Sequence, residues 1–293
     1  MKTIPITILC TGVALLMTGC DKKDDNFNTD HPDQGQITLT TDWTQRTAGI
    51  DIPASYTVAV DKYSVTVSNA TNMLDNLFDP GTYHIRIYTT PQHITVSGAT
   101  ATVAEAPGNV DGVGPFVQEM PGWLFTSTLD AAIEADTDHD FAATMHQQVR
   151  QLTLFIEPTG GTTHRIARIE GYLSGVASIL DMDNNTHGAP QNVALVFTQI
   201  ADGENAGKWT TTVRLLGIAG ERQKLSALIT FADDTPEALW LDSDLSDDLA
   251  TFNADKTTPL VLGGRMVTTP TDAGFIATIK DWTPGIGSSG VAD

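Results

Sequence analysis

Apolar and polar side chains alternate along most of this chain. Ile37, Leu39 and Thr41 fall on one side of residues 37–43, with Thr38, Thr40 and Asp42 on the other. A period of two is the mark of a half-buried strand. Residues 56–60, 63–67 and 83–88 repeat it, the last after the turn Asp79-Pro80-Gly81. Residues 94–96 and 101–103 flank Ser97-Gly98-Ala99-Thr100 and read as a hairpin. Residues 104–122 are punctuated by Gly and Pro, and 123–125 form a short apolar strand candidate. A second series covers residues 149–157, 164–173, 193–200, 208–216 and 224–231, with a plain turn at 202–207. Only residues 245–252 favour a helix, with Ser243 or Ser246 as its N-cap. A last strand spans residues 275–282, and a Gly/Ser-rich tail follows from Gly285.

Short strands between turn signals, with almost no helix, predict an all-β protein built of β-sandwiches. A total of about twelve to fourteen strands is too many for one sandwich of the usual seven to nine. The length of 293 residues also favours about two domains. The break between the two strand series falls near residues 140–146.

The N-terminus departs from this pattern. Lys2 precedes an apolar run over residues 4–17, interrupted by Pro5 and Gly12. The run is too short and too abruptly ended to span a bilayer, so it reads as a secretory signal. It ends Leu16-Met17-Thr18-Gly19-Cys20, which resembles a bacterial lipobox, with Met17 where Leu is commonest. Cleavage before Cys20 would leave that residue acylated, and two or three chains at about 0.8 kcal/mol per buried methylene make a stable anchor. The bland alternative is an ordinary signal peptide that happens to contain Cys20. Asp21-Lys22-Lys23-Asp24-Asp25 resembles the short export signal of surface lipoproteins in Bacteroidetes-type bacteria. A solvated charged tether would look the same. The expected division is therefore a signal over residues 1–19, a tether over 20–35, an N-terminal β-sandwich over 36–144, a C-terminal one over 145–284, and a flexible tail over 285–293.

Composition narrows the function classes. The chain carries 16 Lys and Arg against 36 Asp and Glu. That balance disfavours nucleic-acid partners, which need clustered cations. The only cysteines are Cys10 and Cys20; one leaves with the signal and one takes lipid, so no disulfide or thiolate metal site is expected. Residues 87–149 hold eight acids and no Lys or Arg, and residues 225–255 repeat that imbalance. The spacings Asp136-x-Asp138-x-Asp140 and Asp181-x-Asp183-x-Asn185 could wrap a hard cation. Both lack the Gly and the terminal Glu of an EF-hand loop, which makes them ordinary polar turns. Ser174 lacks the flanking glycines of a nucleophile elbow, and no residue set selects a catalytic pair. The expectation is a protein without enzymatic activity, metal or cofactor.

Several segments together resemble the fimbrillin superfamily, the type V pilus subunits and their anchor and accessory relatives. They are the lipobox at Cys20, Asp42-Trp43 ending the first strand, and Phe78-Asp79-Pro80-Gly81-Thr82-Tyr83 leading into residues 84–88. Val149-Arg150-Gln151-Leu152, Ile169-Glu170-Gly171-Tyr172, Leu249-Ala250-Thr251-Phe252-Asn253 and Ile279-Lys280-Asp281-Trp282 follow in order. The resemblance implies two tandem transthyretin-like β-sandwiches, outer-membrane lipidation at Cys20, surface exposure, and a role in fimbria assembly and adhesion. In stalk members of the family a protease removes the first strand after an Arg, and a neighbouring subunit's strand fills the gap by strand addition. Arg46-Thr47 is the matching cleavage candidate, and anchor or accessory members stay uncleaved. The C-terminal strand carrying Phe275, Ala277, Ile279 and Trp282 would be the donor in a stalk subunit and an edge strand otherwise. The expected partners are other fimbrial subunits and the outer membrane. The alternative reading is a surface glycan-binding lipoprotein serving nutrient uptake, with Trp123, Trp209, Trp240 or Tyr172 as a sugar platform.

Overall fold

A computed structural model describes residues 27–108, 110, 112–159, 163–232, 237–271 and 274–285; for residues 163, 269–271, 274–276 and 280 only the backbone is described. Cys20 and the signal expected over residues 1–19 lie outside the described residues. The first half contains β1 (Gly35–Asp42), β2 (Tyr56–Val60), β3 (Tyr63–Val67), β4 (Thr71–Phe78), β5 (Gly81–Tyr88), β6 (Ile94–Ser97) and β7 (Thr100–Val103). It continues through β8 (Glu105–Ala106), β9 (Phe116–Val117), β10 (Phe125–Ile133), β11 (Thr137–Thr144) and β12 (His146–Gln147). The second half contains β13 (Arg150–Pro158), β14 (Ile166–Asp181), β15 (Thr186–Gln199), β16 (Trp209–Leu215), β17 (Lys224–Phe231) and β18 (Leu239–Asp244). The helix α1 (Ser246–Leu249) leads to β19 (Leu260–Thr271) and β20 (Gly274–Pro284). Among the described residues the fold is all-β apart from α1 and a 3-10 turn at Thr163–Arg165.

One core lies between a sheet ordered β11-β1-β4 and a sheet ordered β12-β10-β5-β2-β3. Ile37 and Leu39 of β1, Val58 of β2, Ile85 and Ile87 of β5 and Phe125 of β10 meet in it, each fully or almost fully buried. The alternation along β1 is what puts Ile37, Leu39 and Thr41 inside while Thr40 and Asp42 face out. Trp43, just past the strand, packs edge-on against Tyr56 and Phe125, and its indole N–H donates to Thr41 Oγ1 at 3.0 Å.

The second core is enclosed by a continuous ring. Strands pair in the order β14-β17-β18-β20-β19-β13-β16-β15, and a β14–β15 pairing closes the circuit. Closure removes the open edges that would otherwise template association. Leu152, Leu154 and Ile156 of β13 face inward with Ile169 and Leu173 of β14 and Leu225, Ala227 and Ile229 of β17.

Three expectations need correction. Residues 94–124 were expected in the first sandwich, yet Ile94, Ala101, Val103, Val117 and Leu124 pack in the second core. The cause is the length of the β14–β15 hairpin, whose far end projects past the ring. Its backbone groups there need partners: β7 pairs with Ile179–Asp181, and β9 pairs with Asn192 and Val193. Second, α1 is capped by neither serine. Its N-cap is Leu245, without a side-chain cap. Ser243 is buried, donating to the Ile279 carbonyl and accepting from the Trp282 indole at 2.8 Å, while Ser246 Oγ donates to Asp244. Third, β20 is neither an edge nor a loose strand. It lies between β18 and β19, and Ala277, Ile279 and Trp282 are buried in the second core. Phe275 belongs to the same strand, opposite Pro270. Removing β20 for donation would open the ring on both sides.

Candidate functional site

The chain enters the fold through a polar clasp. Asp136, at the turn between β10 and β11, accepts from the Asn28 and Thr29 backbone N–H groups, both at 2.7 Å, and from the Thr29 hydroxyl at 2.9 Å. Those donors hold its carboxyl below the usual range, the Asn28 backbone N–H contributing most. His31 lies between the Gln34 carbonyl (2.8 Å from Nδ1) and Asp138 (3.0 Å from Nε2). Two acceptors on one ring favour imidazolium, which donates from both nitrogens, and the His31 pKa is raised accordingly, chiefly by the Gln34 carbonyl. The acids at 136 and 138 thus hold the entering chain rather than a cation.

From the clasp the chain runs directly into β1. It pairs in parallel with β11 from Gly35↔Thr137 to Asp42↔Thr144 and antiparallel with β4 from Gly35↔Phe78 to Thr40↔Thr71. The Arg46–Thr47 step follows. Arg46 is half-buried and donates to the Trp43 carbonyl and, at 3.0 Å, to that of Ile50. Thr47 is 6% exposed. Its N–H donates to Gln147 Oε1 at 2.8 Å and its hydroxyl to the Thr257 carbonyl at 2.7 Å. A protease requires an extended, accessible segment, and this peptide is pinned at both residues.

Thr47 is also the entry to a buried polar hub where the two cores meet. Gln147 donates to the carbonyls of Val149 and Lys256. Arg150 donates to the carbonyls of Thr258 and Phe252 and stacks over the Phe252 ring. Lys256, 8% exposed, donates to the carbonyls of Gln148 and Leu216 and sits 3.0 Å from His187 Nε2. Burial, with Arg150 close by, pulls the Lys256 amine down to about 7. Burial next to the same amine pulls His187 down to about 4. A neutral amine has two N–H groups and one lone pair. Two carbonyls and a His187 Nε2–H match that set without any carboxylate.

A second bridge ties β5 to the β14–β15 turn. Arg86 grips Asp183 through two N–H groups, at 2.7 and 2.6 Å, and His84 spans Asp183 at 3.1 Å and Asp130 at 2.7 Å. The Arg86 guanidinium, above all, takes Asp183 down to about 2. Asp181 accepts from the Asp183 and Asn184 backbones and shapes the turn. The two carboxylates of the second acidic cluster are therefore also spent on protein contacts. Among the described residues no group of three or more metal-ligating side chains converges, and no helix is long and apolar enough to cross a membrane.

The expected sugar platform does not assemble. Trp209 is buried on the core side of β16, at 5% exposed. Trp123 lies under the Arg214 guanidinium, and Tyr172 packs edge-on to Phe116. Trp240 alone of the four is well exposed. Trp209 lies between Lys208 and Thr210, so alternation would place it on the core face, whereas Trp240 lies between Leu239 and Leu241, both buried, and is left on the solvent face. The hub residues Gln147, Lys256 and His187 were not singled out at all, because lone residues far apart in sequence leave no local signal.

The architecture is all-β among the described residues: a sandwich whose first strand is inserted between β11 and β4, joined by a polar hub to a closed strand ring. No family model matches the sequence, and no curated protein matches it. Solved structures share its fold. One assigned as an adhesin from Bacteroides ovatus covers 93% of this chain and all of its own, with a TM-score of 0.58 at 17% identity. A second assigned adhesin from Bacteroides ovatus covers 87% of this chain and 96% of its own, with a TM-score of 0.60 at 11% identity. The fimbrial anchor protein Mfa2 from Porphyromonas gingivalis matches over 83% of this chain and 95% of its own, with a TM-score of 0.52 at 10% identity. The fimbrillin-like resemblance read from the sequence and the fold thus agree.

Proposed function

We propose that this chain is a non-enzymatic, lipid-anchored cell-surface component of a fimbrial or adhesive assembly, and that it acts as an anchor or accessory subunit which keeps its first strand. One observation carries the second half of that reading. The Arg46–Thr47 peptide is half-buried to buried and is hydrogen-bonded to Gln147 and Thr257, and β1 is paired along both edges. Cleavage would strip Ile37 and Leu39 from a filled core. A polymerising subunit needs that cleavage to be easy. The position of β20 inside the ring supports the same choice, since a donor strand must be free to leave. Association with other fimbrial components would then use a remaining edge such as β3 or β4, where backbone groups are open on one side.

We attach to this reading the two-sandwich, transthyretin-like description, a signal ending at Gly19, acylation of Cys20 and a tether reaching the clasp at Asn28. Fold likeness to assigned adhesins and a fimbrial anchor supports the surface role. Intact mass and N-terminal sequencing of the surface form test it. An acylated N-terminus at Cys20 is expected. A chain beginning at Thr47 overturns the anchor reading and makes this a polymerising subunit.

A further inference from the structure

A cleft of about 490 Å³ opens where the two cores meet, above the hub. Its volume is in the range of small-molecule sites, about 300–1,000 Å³. Five separate stretches of chain line it, the fifth being residues 253–257, and the other four present polar side chains: Gln45 after β1, Ser127 and Thr128 of β10, His146 of β12, and Asn185 of the β14–β15 turn. None of these five side chains hydrogen-bonds within the chain among the described residues, whereas the floor beneath them is fully engaged. There Thr126 accepts from Gln148 at 2.8 Å, and Gln147 and Lys256 are held in the hub. The floor is already fixed, so only the five free side chains have to be ordered when a ligand arrives.

The charges that line the cleft are already satisfied. Lys256 is committed to two carbonyls and His187. Asp183 is held by Arg86, and Asp255 accepts from the Thr257 and Thr258 backbones. No cation is left to draw in a carboxylate, sulfate or phosphate, and the net charge of −20 opposes any anion. What remains is two amides, two hydroxyls and an imidazole, which donate and accept in alternation. A neutral polyol presents the same alternation. A peptide strand would instead need apolar pockets for alternate side chains, and the apolar members of this lining, Met182 and Ala254, do not form one.

From this geometry we infer that the junction cleft is a binding site for a neutral oligosaccharide, contacted by Gln45, Thr128, His146 and Asn185. The inference rests on the surface-adhesion reading and deepens it by naming a ligand class. With no Trp, Tyr or Phe in the lining, each site binds weakly, and many copies on one cell surface supply avidity.

Saturation-transfer NMR on the full chain in detergent tests this. The probes are maltotetraose, mannotetraose, xylotetraose and lacto-N-neotetraose, with sialyllactose, trigalacturonate and an unstructured neutral octapeptide as counterparts. At least one neutral tetrasaccharide should bind at millimolar concentration or tighter. Its affinity should fall at least tenfold in Gln45→Ala/Asn185→Ala and in Thr128→Trp, which fills the cleft, and stay unchanged in Trp240→Ala. Unchanged melting of each variant shows that the loss is local. Silence from all four neutral probes, preference for an anionic probe or the peptide, or undiminished binding by the cleft variants overturns the assignment. The anchor reading is scored separately, by the acylated N-terminus, so either can fail alone.

Discussion

Lys256→Met isolates the energetics of the hub. In the folded chain the amine is neutral above about pH 7. In the unfolded chain it keeps its proton to about 10.4. Between those values the unfolded state binds more protons, so stability rises with pH across the window. At 1.36 kcal/mol per unit the full span corresponds to about 4–5 kcal/mol, and relaxation around the amine brings the expected gain to about 3–4 kcal/mol. The methionine variant loses this dependence. It also leaves the Gln148 and Leu216 carbonyls and the His187 ring without their partner, at about 1–3 kcal/mol for each stranded group. That loss is independent of pH. Guanidinium unfolding followed by tryptophan fluorescence from pH 6 to 10 separates the two effects. The wild-type advantage over Lys256→Met should be smallest near pH 6 and grow steadily to pH 10. An advantage constant to within about 0.5 kcal/mol would refute a neutral, carboxylate-free lysine at the junction.

Two further outcomes follow from the packing and the bridge. Leu39→Ala, at a fully buried β1 position, should cost about 2–4 kcal/mol in chemical denaturation; a loss below about 1 kcal/mol would mean that β1 is not an integral core strand. Asp183→Asn should cost about 1–2 kcal/mol at neutral pH, discounted for the partial exposure of its partners. Because the Asp183 carboxyl titrates at about 2, that difference should persist to about pH 4 and vanish as the pH falls toward 2. Equal stability of the two proteins at pH 7 counts against the bridge.

Much of the all-β character was legible because most strands keep a core face and a solvent face. The alternation in β1, β2, β3 and β16 survives as alternating burial, and the second half of β5 keeps it, whereas Arg150–Leu154 of β13 and Leu225–Ala227 of β17 are buried on both faces. The strands that escaped notice have different reasons. In β4, Asn72, Asp75 and Asn76 interrupt the apolar face, and only Leu74 and Phe78 are buried. The stretch from β10 through its turn into β11 carries Asp130, Glu134, Asp136, Asp138 and Asp140, which read as solvated loop although β11 is an edge strand of the other sheet. In β19, Gly263 and Gly264 mask the pattern; Gly264 sits where a Cβ would collide with the Ile279 side chain. The ring, the crossing of residues 94–117 into the second core and the junction hub depend on contacts between residues far apart in sequence. No window of the chain carries them. The candidate site was legible at Arg46 and Thr47 only as a motif, because burial decides whether such a bond is cut.

The two-sided pairing of β1 also has a mechanical meaning. The residues before Gly35 arrive at one end of the strand, and the clasp at Asp136 holds them there. A force on that end acts along the strand axis. Sliding β1 out would strain the ladders to β11 and β4 together, in shear, rather than peel them one bond at a time. Ile37 and Leu39 would have to leave the core in the same movement. Survival under such a pull is governed by the rate of this concerted step and not by equilibrium stability. A protein held to a membrane at one end and loaded at the other is well served by a first strand of this kind.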